Sequence, residues 1–378
     1  MRVLVVHNRY RVEGGEERAV ELQLGALERA GIPHALVERS SSDASRLGAA
    51  RALLRGGVGE DELAAAAAEL GADVVHVHNM QPLFGPRTLA AARAAGARVL
   101  LSLHNLRLFC AIGVAARDGG PCFRCHHRLT LPGLVLNCRE SLPEAAVYAV
   151  ALARQQPQVL ASVDRFVVPS RYAAGQVARL GLPAERVSVI PHYLPDEAFA
   201  ERSDAGAGEY ALVAARLSVE KGIDTAIEAA AAAGIPLRIA GDGPARAELA
   251  ALAARGGAPV ELLGRLDRAA LARELAGAAM LLLTSRYHEF AGYSALEAMA
   301  AGVPVIATSL GAPPELVGPE RCVPPNDSPA LAARMTALWE SPELRLAEGE
   351  ELLALANRRH REPAYRDALL ALYEGTGL

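Results

Sequence analysis

Aromatic residues are scarce in this chain, at 4% of 378 positions with a single tryptophan. A ligand platform built from large stacked rings is therefore not expected. Long apolar runs are missing too. No stretch reaches the roughly 18 apolar residues of a membrane-spanning helix, and Ala-rich segments such as LAAAAAELGA (63–72) are interrupted by glutamate. The amino-terminal apolar run, Val3 to Val6, is four residues long. A secretory h-region needs roughly 7–15, so this run reads as a buried strand and a cytoplasmic compartment is expected. Charge of one sign is also lacking. Lys and Arg number 39 against 43 Asp and Glu, a net charge of −4, which gives no global reason to bind nucleic acid.

What is present is a soluble globular composition, 51% hydrophobic, in a chain long enough for two ordinary domains. Short β-branched runs alternate with helical stretches. RVLVV leads to GGEERAVELQLGALERAG, DVVHVH to GPRTLAAARAAG, and RFVVPS to RYAAGQVARLG. Continuous apolar runs of this length suit strands buried on both faces of a parallel sheet. Gly31, Gly71, Gly96 and Gly181 stand where the helices should stop. Alternation breaks at residues 192–209 (HYLPDEAFAERSDAGAGE) and restarts with YALVAARLS, PLRIAGDG, PVELLGR, AMLLLTS and VPVIATS. From about Ser328 the pattern is helical. The fold class expected is α/β, with two Rossmann-like domains of parallel strands flanked by helices. The first spans 1–192 with a Cys-rich insertion at 105–142, and the second spans 193–358. A final helix, 359–378, is a candidate to return to the first domain.

The segment 284–308, TSRYHEFAGYSALEAMAAGVPVIAT, is a strand end, a polar loop and a helix opening near Gly292–Ser294. Ligands bind open α/β sheets at such carboxyl ends, and free N–H groups at a helix start suit a phosphate. Glu289 and Glu297 can accept hydrogen bonds from sugar hydroxyls on either side of it. Upstream, Arg216 and Lys221 flank another helix start, a fork and a point charge suited to a diphosphate. Gly241-Asp242-Gly243-Pro244 makes a sharp strand-to-helix turn, and Gly14-Gly15 precedes the first helix.

The 284–308 segment resembles the E-x7-E region of retaining glycosyltransferases of family four, whose two facing Rossmann-like domains are called GT-B. The likeness covers nearly the whole chain and is strongest from 210 to 310. It implies that Glu289 faces the transferred sugar and that Glu297 holds the ribose of a nucleoside-diphosphate sugar, most simply a UDP-sugar. The backbone of Ala291, Gly292, Tyr293 and Ser294 would hold the distal phosphate and sugar. Arg216 and Lys221 would contact the diphosphate, Gly243 would border the nucleotide, and Arg265 and Leu266 would edge its base. Gly15 would face the diphosphate from the first domain, and His104 would touch the donor sugar. The family's usual Glu-Gly-Phe-Gly is here Glu289-Phe290-Ala291-Gly292, a departure that bears on sugar preference. Catalytic roles would fall to Glu289, His104, Arg216 and Lys221, without a catalytic metal. The acceptor would be a hydroxyl of a saccharide, a lipid-linked saccharide or a small molecule. Peripheral contact with the inner membrane face, through the helix containing YAVALARQQPQVLASV, stands beside simple core packing of that helix. Two other functions fit the same pocket less well. A sugar-nucleotide epimerase would need acid/base groups instead of an acceptor cleft, and a non-catalytic scaffold would not retain Arg216, Lys221, Glu289 and Glu297.

Four of the five cysteines fall in the insertion, Cys110, Cys122, Cys125 and Cys138, spaced C-x11-C-x2-C-x12-C. Four thiolates in such a loop suit structural zinc, with His126 or His127 as substitute ligands. A redox pair at Cys122 and Cys125, two disulfides, or four free thiols are the alternatives. Cys322 is expected to be a buried core thiol.

Overall fold

A computed structural model of the chain describes residues 1–10, 14–118, 120–200 and 202–376. It divides into two compact units, one of Met1–Arg117, Pro121–Ile190 and Arg366–Leu378, the other of Pro191–Tyr365 with Asp118–Gly120.

The first unit holds strands β1 (Val3–Arg9), β2 (His34–Ser40), β3 (Val74–Val77) and β4 (Arg98–Ser102). A two-residue ribbon follows, β5 (Ala116–Arg117) with β6 (Gly120–Pro121), and then β7 (Arg165–Val168) and β8 (Val187–Val189). Its six-stranded sheet runs β2-β1-β3-β4-β7-β8, parallel throughout. The second unit holds β9 (Tyr210–Ala214), β10 (Leu237–Ala240), β11 (Val260–Gly264), β12 (Ala278–Leu283), β13 (Val305–Thr308) and β14 (Cys322–Val323). These are ordered β11-β10-β9-β12-β13-β14, again all parallel.

The sheets are parallel because helices cover both faces and leave no side of a central strand for polar side chains. Val3, Leu4, Val5 and Val6 are fully buried, as is nearly all of β12. Successive β12 residues enter opposite cores. Leu281 and Leu283 pack with Leu296, Met299 and Leu352, whereas Met280 and Leu282 pack with Ile227, Ile239 and Met335. The helices stop where left-handed glycines allow it, as at Gly71, Gly181 and Gly302.

Strand order fixes where a ligand can lie. In the second unit the order reverses between β9 and β12, paired at Leu212–Leu281. The loops after these two strands therefore leave the sheet side by side. In the first unit the reversal falls between β1 and β3, paired at Val6–Val77. A crevice outside the strand carboxyl ends at such a point is the favoured binding place in open α/β sheets.

Three segments depart from this regular scheme. The insertion after β4 forms turns, the small ribbon and a five-residue helix, Leu131–Val135. It leads into helix Leu142–Ser162, which buries Ala145, Ala149, Leu152 and Val159. Among the described residues no helix is long and apolar enough to cross a membrane. The last helix, Glu362–Glu374, buries Leu369, Leu372 and Tyr373, and Arg98 Nη1 donates to the carbonyls of Leu372 (2.8 Å) and Tyr373 (3.2 Å). Two residues of the final segment, 377 and 378, lie outside the described residues.

Truncating a β12 side chain should weaken the second unit. Leu281→Ala is expected to cost about 2–5 kcal/mol. Trp339, the chain's one tryptophan, packs on a core of the same unit, so its fluorescence in urea reports that loss. An unchanged midpoint would contradict the packing described.

Candidate active site

In the second unit the strand-end loops after β9 and β12 are tied together. Residues Val219–Lys221 form a 3-10 turn, and Gly222 (φ +61°) caps the next helix, Ile223–Ala233. A Cβ on Gly222 would sit 2.2 Å from the carbonyl oxygen of Thr284, so only glycine allows this approach. Thr284 Oγ1 donates to the Lys221 carbonyl at 2.9 Å. The Arg286 N–H donates to Glu220 O at 2.9 Å, and its guanidinium pairs with Asp224 at 2.6 Å.

These ties bring Lys221 to Glu289, with Nζ to Oε2 at 2.8 Å. Ser285 Oγ donates to the same oxygen at 3.0 Å, and the Tyr287 hydroxyl donates to Oε1 at 3.0 Å. Lys221 Nζ also donates to the Tyr287 oxygen at 3.0 Å and lies 4.7 Å from the ring centroid. Burial disfavours the ammonium, but the Glu289 carboxylate outweighs it and holds Lys221 above the usual lysine range. Burial and the same carboxylate push the Tyr287 phenol up. Gly311 (φ +107°) lies so close beneath Glu289 that a Cβ would stand 2.6 Å from its backbone N and O. Ala312 N donates to Glu289 O at 2.7 Å. The carboxylate is thus held from the backbone side as well as by its oxygens.

The other residues expected at this site are distributed as follows. Gly292 is the N-cap of helix Tyr293–Ala301, with Ser294 in its first turn and Glu297 half-buried in its second. Ala291 closes the preceding loop. The Tyr293 ring stacks on His192, centroids 4.7 Å apart, and burial drives that imidazole down to about 3. Arg216 is exposed on the loop after β9. Gly243 lies in the turn after β10, its N–H donating to Asp242 Oδ1 at 2.8 Å. Arg265 is exposed and Leu266 half-buried after β11. The structure therefore joins Lys221 directly to Glu289 and puts the remaining groups on neighbouring strand ends of the same sheet.

The first unit has its own polar cavity at its own reversal point, about 30 Å³, lined by Tyr10, Glu16, His78, Gln81, His104 and Asn105 among others. Gly15 is the exposed first residue of helix Gly15–Arg29. Glu16 is 7% exposed, with Asn105 Nδ2 at 3.4 Å from Oε2 and at 3.1 Å from the Tyr10 hydroxyl. Burial raises the Glu16 carboxyl to about 7. Its neighbour Glu17 goes the other way. Burial would raise it too, but His7, with Nε2 3.8 Å from Oε1, and hydrogen bonds from the N–H groups of Tyr10 and Gly14 hold it below its usual range. Adjacent carboxyls driven apart in this way can hold and release a proton at different pH. Gln81 is 2% exposed, and neither polar atom of its side chain has a partner among the described residues.

Two family descriptions together match most of the chain. Residues 2–192 match the glycosyl transferase 4-like domain and residues 196–351 match glycosyl transferases group 1. The chain belongs to the glycosyl transferase 4-like family. Its similarity to curated members is partial. It is 36% identical over 183 residues to an exopolysaccharide phosphotransferase of Streptomyces coelicolor, covering 46% of this chain and 19% of that one. Identity to the alpha-D-kanosaminyltransferase of Streptomyces kanamyceticus is 28% over 218 residues, covering 52% and 56% respectively. The chain thus spans from about a fifth to just over half of these relatives. Among solved structures, HepE of Anabaena in complex with UDP superposes with a TM-score of 0.71 at 18% identity, covering 99% of this chain and all of that one. The trehalose-6-phosphate synthase OtsA superposes at 0.67 and 15%, covering 99% of each chain. At these identities the likeness establishes the fold, GT-B.

The expected zinc site finds no support. Cys110, Cys122, Cys125 and Cys138 line one small cavity of about 20 Å³. Yet among the described residues no group of three or more His, Cys, Asp or Glu side chains is disposed to hold a metal ion. All five cysteines are free and half-buried. Burial raises Cys110, and it raises Cys125 to about 11 with help from Cys110. At these two positions burial favours the neutral thiol. Cys322 is likewise only half-buried, because it lies on the edge strand β14.

Tyr287, Ser285, Glu16 and Gln81 went unremarked in the sequence. Tyr287 and Ser285 stand two and four residues before Glu289, a spacing that already placed them in its loop. Gln81 gives no local signal, since its position depends on β3 lying beside β1.

The Glu16 carboxyl gives a pH test. A folded value near 7, above the usual carboxylate range, means that its protonated form supports folding below about pH 4.5. That support is lost as pH rises through about 7. Glu16→Gln should therefore match the wild type near pH 4.5 and be more stable at pH 8, by on the order of 2–3 kcal/mol at most. Thermal melts across that range decide it. Greater stability of the wild type at pH 8 would contradict the burial argument.

Proposed function

We propose that the chain transfers a sugar, with retention of anomeric configuration, from a nucleoside-diphosphate sugar to a hydroxyl acceptor. The donor proposed is a UDP-sugar. The observation that carries this reading is the Lys221–Glu289 pair at the β9/β12 reversal, beside the helix start at Gly292. Family membership supports the reaction class, and HepE, solved with UDP and with UDP-glucose, supports the choice of base. Another relative, 37% identical over 135 residues that are 35% of its length, is a GDP-mannose-dependent mannosyltransferase of Mycobacterium tuberculosis.

In this reading the C1–O bond to the diphosphate breaks as the acceptor oxygen approaches on the same face. The acceptor's proton passes to the departing phosphate oxygen. Lys221 has three protons, of which Glu289 and Tyr287 take two, and the third is available to a phosphate oxygen. Arg216 adds a fork donor to the same charge, and the first N–H groups of helix Tyr293–Ala301 add their partial positive charge. Glu289, held rigidly by four neighbours, orients the sugar hydroxyls, while Glu297 takes the ribose. Gly243, Arg265 and Leu266 flank the nucleotide.

Kinetics separate these roles. Arg216→Ala should lower kcat about 100-fold, the scale for one lost charge-stabilising donor. Glu297→Gln should raise the donor KM with kcat nearly unchanged, because a ribose contact is made equally in ground and transition states. Lys221→Ala removes the partner of a buried carboxylate, so it should also destabilise the second unit by about 3–5 kcal/mol. Steady-state turnover after a nucleotide-sugar screen, with NMR of the product's anomeric centre, tests the set. An inverted product or an unimpaired Arg216→Ala enzyme would overturn it.

A peripheral membrane contact is proposed for the face bearing Leu129, Leu131, Val135, Leu142 and Val150. Among the described residues, five of the eleven exposed large hydrophobics lie between 129 and 150, a stretch flanked and interspersed in sequence by Arg124, Arg128, Arg139 and Arg154. Concentration of this kind marks an interaction surface. Flotation with anionic vesicles should capture the wild type, and Leu131→Ser/Val135→Ser should not be captured. Equal behaviour of the two would exclude this face.

A further inference from the structure

The Glu289 carboxylate of the second unit has one acceptor position left. An ionised carboxylate accepts at about four lone-pair sites, two on each oxygen, and donates at none. Its Oε2 is full, with Lys221 Nζ at 2.8 Å and Ser285 Oγ at 3.0 Å. Its Oε1 takes a single bond, from the Tyr287 hydroxyl at 3.0 Å. Among the described residues nothing else bonds either oxygen. The side chain is 11% exposed, so one narrow approach to Oε1 is what a ligand can use.

The direction of the Tyr287 bond follows from its two neighbours. An ammonium can only donate, so the phenol oxygen accepts from Lys221 Nζ at 3.0 Å. The one phenol proton is then left for Glu289, which can only accept. These contacts close a ring from Lys221 to Oε2, through the carboxylate to Oε1, to Tyr287 and back to Lys221. The ammonium also lies 4.7 Å from the centroid of the Tyr287 ring. A carboxylate turning to trade partners would break bonds to Lys221, Ser285 and Tyr287 together. Its backbone is fixed as well, since the Ala312 N–H donates to Glu289 O at 2.7 Å. The occupancy of its lone pairs is therefore set by the protein before any ligand arrives.

We propose that Tyr287 is a specificity-determining residue, which fills one site of Oε1 and so leaves Glu289 able to accept from a single hydroxyl of the donor sugar. This rests on the reading above in which the sugar lies at Glu289. A carboxylate with a second open site on that oxygen could accept from two neighbouring hydroxyls and would disfavour a sugar lacking either. Here the carboxylate reads one. The substrate class it admits accordingly includes nucleotide sugars deoxygenated or substituted beside the hydroxyl that is read. Tyr287 need not touch the sugar to have this effect, because it acts by occupying a lone pair.

The test is calorimetric binding to the full chain of UDP-glucose and of its monodeoxy analogues, each lacking the glucosyl hydroxyl at C2, C3, C4 or C6. In Glu289→Gln the amide oxygen keeps Lys221 and Ser285, and an NH2 group that cannot accept replaces Oε1. UDP-glucose should then bind about tenfold more weakly, the lower end for a hydrogen bond to a charged group. One analogue should bind the wild type and Glu289→Gln equally, within about twofold, because the hydroxyl read by the carboxylate is gone. The remaining analogues should keep the tenfold difference. Tyr287→Phe retains the ring beside Lys221 and opens the second site of Oε1. A second analogue should therefore lose about tenfold more affinity relative to UDP-glucose in Tyr287→Phe than in the wild type. That comparison needs only the wild type and Tyr287→Phe, so it decides even if Glu289→Gln does not fold. Two analogues indifferent to Glu289→Gln overturn the proposal and leave the donor site standing, as does a Tyr287→Phe protein with the wild-type ranking of every analogue. UDP-glucose bound with no analogue indifferent to Glu289→Gln overturns the placement of the sugar at Glu289, and the proposal with it. A chain that binds no UDP-glucose overturns the donor reading itself.

Discussion

A strand buried on both faces has no place for a charge along its length. This constraint governs the protein. Along β1 and β12 every side chain that could do chemistry is pushed to the carboxyl end, where the backbone leaves the sheet. Lys221, Glu289 and Tyr287 in one unit, and Glu16, His78 and His104 in the other, all lie just past a strand. Where the strand order reverses, two such ends stand together with no helix crossing between them. The charged groups meet there because apolar side chains fill the middle of these strands.

Once gathered, these groups must satisfy one another. Lys221 remains charged in spite of burial because Glu289 is 2.8 Å away, and Glu289 is tolerable in its loop because Lys221, Ser285 and Tyr287 surround it. The pair is less a source of stability than a mutual dependence, since removing either member strands the other. Glu16 shows what happens without a matching cation as close: it keeps its proton to about pH 7. Glu17, one residue on, satisfies two backbone N–H groups and stays ionised. Environment, rather than residue type, assigns the two carboxyls their different states.

Much of this was legible in the sequence, and the reasons can be named. Helix boundaries at Gly71, Gly181 and Gly302 follow from a backbone angle only glycine takes readily. The β12–loop–helix unit around Glu289 is local, within 25 residues, and its pattern carries over to three dimensions directly. The Lys221–Glu289 contact was not legible, because it spans 68 residues and depends on β9 lying beside β12. The cysteines mark the opposite limit. Their spacing suggested tetrahedral ligation, yet spacing constrains only how close four sulfurs can come. It does not determine whether the fold disposes three or more of them around one point, and among the described residues it does not. Gln23, whose Nε2 donates to the Tyr373 hydroxyl at 2.8 Å and lies 3.1 Å from His76 Nδ1, illustrates a third kind of silence, for no local pattern distinguishes a core glutamine that bridges distant elements from one that merely fills space.

Tyr373 also has a bearing on how the protein is made. The first unit takes its last helix from the far end of the chain, so its polar interior cannot close while the ribosome is still producing the second unit. Until then helix Gly15–Arg29 carries Gln23 against β3 with one hydrogen-bonding direction unfilled, and Arg98 lacks the carbonyls of Leu372 and Tyr373. Domains usually fold in the order in which they emerge. Here the first unit begins before the second and is finished after it, its polar interior closing only once Tyr373 has been added.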